Sequence, residues 1–125
     1  MPIETKILPS GLIWITIRGD VTRGEFPLHA DELARIEREC RVSPHRYTDL
    51  SESTSHPNYG TMETFAGVRT HAKLKNKVNS AVFAPSDYQF GMARLFQALN
   101  RNPQIEVRVF RDKDEALKWV GWDSS

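Results

Sequence analysis

The 125-residue chain has a single cysteine, Cys40. One thiol excludes an internal disulfide framework and any multi-cysteine zinc or iron–sulfur site. It suits a reducing compartment, and a cytoplasmic location is expected. Long hydrophobic runs are missing too. The longest, Leu12 to Ile17, falls far short of the roughly 20 residues that cross a bilayer, so membrane contact is expected to be peripheral at most. Met1 to Pro9 has no basic segment followed by an apolar stretch, and no signal peptide is expected. Nor is there an excess of one charge: 17 Lys and Arg face 16 Asp and Glu, a net of +1. That balance argues against a nucleic-acid binder and against wholesale disorder. Gly60, Gly67 and Gly91 stand alone, so no glycine-rich phosphate loop is present.

What the chain does contain is alternation of strand and helix patterns. Ile3 to Leu8, the turn Pro9-Ser10-Gly11 and the run Leu12 to Ile17 predict a hairpin. Thr22 and Glu25 have capping-box spacing. Beyond them Leu33, Ile36 and Cys40 fall on one helical face, with Arg35, Glu37, Arg38 and Glu39 expected outward. Ser43-Pro44 ends that helix. Tyr47 to Leu50 predicts a short strand, Tyr59 to Leu74 a helix and Asn79 to Ala84 a strand. Ser86 with Gln89 opens a helix running to about Asn100, whose apolar face holds Tyr88, Met92, Leu95, Phe96 and Leu99. Ile105, Val107 and Val109 alternate with Glu106, Arg108 and Phe110 as a strand. Asp112 and Glu115 start a last short helix that stops at Gly121. The expected fold is α/β: one domain over residues 1–125 with a single mixed, mostly parallel five-stranded sheet. An N-terminal β-hairpin and about four helices complete it, in the order ββαβαβαβα.

Three signatures carry a resemblance. Gly19 closes a hydrophobic strand and leads through Asp20-Val21-Thr22 into a helix. Tyr47-Thr48-Asp49-Leu50-Ser51 forms a strand end. The third joins Ala84-Pro85-Ser86-Asp87 and Phe90-Gly91-Met92-Ala93-Arg94-Leu95-Phe96 to Val107-Arg108-Val109-Phe110-Arg111-Asp112 and Glu115-Ala116-Leu117-Lys118-Trp119-Val120. Together these resemble the SpoIIAA-like proteins, a largely uncharacterised bacterial family related to STAS domains. The resemblance implies the same α/β fold and a regulatory or protein-interaction role. In related STAS domains a serine of an Asp-Ser-Ser-Gly segment can be phosphorylated. Here the corresponding positions read Pro57-Asn58-Tyr59-Gly60, without the hydroxyl pair. Ser53, Thr54 and Ser55 are the remaining hydroxyls nearby.

No catalytic constellation emerges, and a non-enzyme is expected. His29, His45, His56 and His71 lie in separate segments without metal-site spacing, so neither a metal nor a cofactor is expected. Each histidine reads as a surface or cap residue. Asp49, Ser51 and His56 make a triad only on paper, because no nucleophile elbow or oxyanion hole accompanies them. Cys40, on an apolar face, reads as an inert thiol. Two binding features remain. One is the loop with Asp49, Ser51, Ser53, Thr54, Ser55, His56 and Asn58, at the carboxyl end of a strand, where open α/β sheets hold ligands. The other is the basic cluster Arg69, His71, Lys73, Lys75 and Lys77, suited to an anionic lipid or acidic protein surface.

Phe65, Tyr88, Met92, Phe96, Trp14 and Trp119 are candidates to line an apolar pocket. Some SpoIIAA-like folds are similar in layout to CRAL-TRIO lipid carriers, which adds to that expectation. Two readings follow: a domain binding a protein partner or a second copy through the loop, or a peripheral membrane or lipophilic-ligand binder. A large apolar cavity favours the second; a filled core with a polar loop face favours the first. Trp119 and Trp122 either cover the sheet or pair with a second subunit.

Overall fold

A computed structural model describes residues 3–22, 24–55, 59–70 and 72–122, including the backbone of Tyr59. The chain runs β1 (Ile3–Ile7), β2 (Ile13–Gly19), α1 (Glu25–Glu39), β3 (Arg46–Ser53), α2 (Tyr59–Thr70), β4 (Val78–Phe83), α3 (Asp87–Leu99), β5 (Ile105–Phe110) and α4 (Lys113–Trp119). The five strands form one sheet in chain order, β1-β2-β3-β4-β5. β1 and β2 are antiparallel and the remaining pairs are parallel. The expected α/β architecture is the observed one.

This order has a physical consequence. Each parallel connection steps one strand in the same direction, and right-handed crossovers then put every connecting helix on one side. So α1, α2 and α3 share a face and α4 alone covers the other. Strand alternation supplies both cores. Ile13 and Ile15 meet Leu33 and Ile36 of α1, and Val78, Val82, Ile105 and Val107 meet Ala93 of α3. On the far face Tyr47 and Ala81 meet Ala116, Leu117 and Val120.

Local chemistry sets most of the boundaries. Both halves of the Ser86–Gln89 capping box form, and Asp112 accepts from the Glu115 amide to start α4. At α1 only one half of the expected box appears. Glu25 accepts from the Thr22 amide, while Gly24 takes the cap position without a side-chain bond. α2 stops at Thr70, short of Leu74. There Asn102 donates to the carbonyls of Arg69 and Ala72, and Gln104 pairs with both backbone groups of Leu74. β3 runs on to Ser53, beyond Leu50. Past a register shift in β2 the ladder resumes, pairing Arg18 with Glu52 and Gly19 with Ser53. Gly19 has φ +61°, a conformation that glycine adopts without steric cost.

A candidate ligand cavity under three helices

Between the sheet and α1–α3 lies a cavity of about 180 Å³ with a predominantly apolar wall. Ile15 and Ile17 of β2, Leu50 of β3 and Val82 of β4 form its floor, with Leu33, Phe65, Met92 and Phe96 from the helices above. Tyr88 also lines it and is 47% exposed, so the cavity meets solvent there. Phe65 packs edge-on against Phe26 at 5.9 Å and meets Phe96 in a tilted contact at 5.6 Å. A second hollow between α1 and α2 shares Phe26, Thr61 and Phe65 as walls.

Four of the six residues expected to line a pocket do so: Phe65, Tyr88, Met92 and Phe96. Trp14 and Trp119 do not, because strand alternation and the placement of α4 put them on the other face. Trp14 meets Tyr47 in a tilted contact at 4.5 Å and Trp122 at 5.8 Å, while Trp119 packs on Phe110. Trp119 and Trp122 thus cover the sheet.

One part of the cavity wall is charged. Arg46 of β3 and Arg69 of α2 both line it, and both bond to Glu37 of α1. All three are buried, at 6%, 4% and 7% exposure. Among the described residues two guanidiniums therefore share one carboxylate. The Nε atoms of both arginines are buried without a partner, as is Nδ1 of His29, which also lines the cavity. An unpartnered buried donor costs roughly 1–3 kcal/mol. The His29 ring stacks on Phe65 with an 11° interplanar angle. Burial and the charges of Arg46 and Arg69 push its pKa down to about 4, so it is neutral at pH 7. Burial, helped by Arg69, also lowers Arg46 to about 10 against the opposing pull of Glu37, and it stays cationic.

These positions correct several expectations. Glu37 points inward although its charge argued for solvent, His29 is a core residue, and Arg69 does not belong to a surface patch. The spacing carried a signal at Glu37, and at Arg46 as well. Glu37 follows Leu33 by four residues on the inner helical stripe. Arg46 shares period-two spacing with Thr48 and Leu50 on the helix-covered side.

The loop residues divide. Asp49 is buried on the α4 side, where it accepts from the Tyr47 hydroxyl, the Ser51 amide and the Ser51 hydroxyl, the last at 2.6 Å. Burial, with the charge and hydrogen bond of Asp49 added, raises the Tyr47 phenol far above its ordinary range. Ser53 and Ser55 line the cavity. The Ser55 hydroxyl accepts from the Val21 amide and donates to the Gly19 carbonyl. Thr54 is exposed, and its amide donates to Gly19. His56, Asn58 and His71 lie outside the described residues. His45 accepts at Nδ1 from the Asn79 amide, bridging two strand starts. Cys40 caps α1, its amide bonded to Ile36.

Of the basic residues, Lys73, Lys75 and Lys77 are exposed beyond the end of α2. Lys75 donates to the carbonyls of Arg38 and Cys40, as a cation at a helix C-terminus should. Among the described residues no helix is long and apolar enough to cross a membrane, and no cluster of His, Cys, Asp and Glu suits a metal ion.

No protein-family model matches the chain, and no curated protein does. Among solved structures it resembles an uncharacterised protein of the DUF3478 family with a SpoIIAA-like fold, from Shewanella loihica PV-4. The TM-score is 0.63 over 94% of this chain and 91% of that one, at 16% identity. Strand order, helix placement and this likeness together make the fold of the chain SpoIIAA-like.

Proposed function

We propose that the protein is a non-enzymatic binding domain that takes a small apolar molecule into the cavity beneath α1, α2 and α3. The observation that carries this reading is the apolar cavity of about 180 Å³ at a position where a packed core is normal. An apolar cavity of about 150 Å³ is known to stay dry and to accept benzene, so this one is of ligand size. The end of β3 and the residues just after it join the same site, since Ser53 and Ser55 line it. A protein-interaction or regulatory role would use this rim, where Thr54 is exposed.

Peripheral membrane contact has less to support it. With Arg69 buried and Lys75 capping α1, Lys73 and Lys77 remain as exposed cations without a bond among the described residues. Each is worth about 1 kcal/mol on an anionic surface, far from stable anchoring.

Thermal unfolding with 1-octanol tests the cavity reading. A saturable rise in melting temperature is expected, accompanied by a retained small molecule in native mass spectrometry of protein from its own cell. No saturable rise and no adduct would refute it.

A further inference from the structure

We infer that the cavity ligand is an amphipathic monoanion, a carboxylate with an apolar chain, whose head is held by Arg46 and Arg69. The assignment rests on the cavity reading above and adds the chemistry of the head group. Three features of the wall carry it. The two guanidiniums face one carboxylate, so one positive charge has no counterion among the described residues. Each keeps a buried Nε without a partner while lining the cavity, and His29 Nδ1 is unpartnered in the same wall. These polar groups share the wall with Leu33, Phe65 and Phe96, which offer nothing to an ion and everything to a hydrocarbon chain.

The chemistry of arginine narrows the class. A guanidinium presents a planar fork of donors that matches a carboxylate, and it is the cation best suited to burial. A single added negative charge would balance Arg46, Arg69 and Glu37, whereas a dianion would leave a buried excess of the other sign. A small inorganic ion would satisfy the charge but leave the apolar wall empty. His29, neutral beside them, brings no second positive charge and can orient the head by a hydrogen bond.

Calorimetric titration of the full chain at pH 7.5 with sodium octanoate, 1-octanol and inorganic phosphate tests the assignment. Octanoate should bind at least about tenfold more tightly than 1-octanol, and from hexanoate to octanoate affinity should rise about fourfold per methylene. R46M leaves Glu37 and Arg69 as a balanced pair and should abolish the preference for octanoate while 1-octanol still binds. Equal affinities for octanoate and 1-octanol would overturn the head-group assignment and leave the apolar cavity standing. Binding of neither would sink both. Phosphate binding as tight as octanoate binding would show a site for small anions and refute the amphiphile. The comparison within the wild-type protein decides the matter even if R46M does not fold.

Discussion

Glu37 of α1 and Arg69 of α2, 32 positions apart, meet in a buried hydrogen bond under the helical layer. The same Oε2 atom also accepts from Arg46 of β3 at 3.5 Å. One carboxylate thus ties two helices to the sheet in the wall of the cavity. Removing one partner from such a cluster leaves buried charge uncompensated, at a cost of about 3–5 kcal/mol. Glu37→Gln is expected to lose that much in urea unfolding, a large share of a small domain's total stability. A loss under 1 kcal/mol would mean that water already screens the two guanidiniums.

His29 gives the protein an acid-sensitive term. Its pKa is about 4 in the folded chain and 6.5 in the unfolded one, so between those values the unfolded state binds more protons. Stability is therefore fully present above pH 6.5 and is lost as pH falls toward 4, by about 3 kcal/mol at most. Burial of the ring is the main cause, and the charges of Arg46 and Arg69 add to it. His29→Phe should flatten the wild-type stability profile over this window by that amount. Identical profiles in wild type and variant would show that the ring is solvated.

The sheet and helices were legible because their signals are local and repeated. Alternation at Ile105, Val107 and Val109 and the caps at Ser86 and Asp112 each depend on neighbours within a few residues. The charged wall was not legible in the same way. Glu37, Arg46 and Arg69 become buried only by meeting one another, and that meeting depends on the sheet order that stacks α1 beside α2. Taken singly, each falls under the rule that places charged residues in water. The pocket was half legible for a related reason: Phe65, Tyr88, Met92 and Phe96 share helices on one side, whereas assigning Trp14 and Trp119 required knowing which face α4 covers.

The α4 face should be energetically separate from the cavity. Leu117 is buried at 4% exposure against Tyr47 and Ala81 on the face of the sheet opposite α1–α3. Leu117→Ala is expected to cost about 2–5 kcal/mol in urea unfolding through lost burial and a residual cavity. Its affinity for 1-octanol, measured under conditions where the variant stays folded, should match wild type, because the sheet lies between. A change beyond about threefold would show that the two faces are coupled.

Gln89 joins helix capping to the cavity rim. Its side-chain oxygen accepts from the Ser86 amide, completing the capping box, and its Nε2 donates to the Ser53 carbonyl at the end of β3. Gln89 and Ser53 also both line the cavity. Ser86→Ala removes only the hydroxyl half of the cap and should cost about 1 kcal/mol, with ligand affinity unchanged. Gln89→Ala removes the other half and frees the rim, so a similar or slightly larger stability loss should come with faster amide exchange at Ser53 and Thr54 and weaker 1-octanol binding. Because both variants damage the same cap, helix stability alone would move them together. Equal effects on binding would mean that the rim bond plays no part in holding the cavity, and a binding loss confined to Gln89→Ala would place it there.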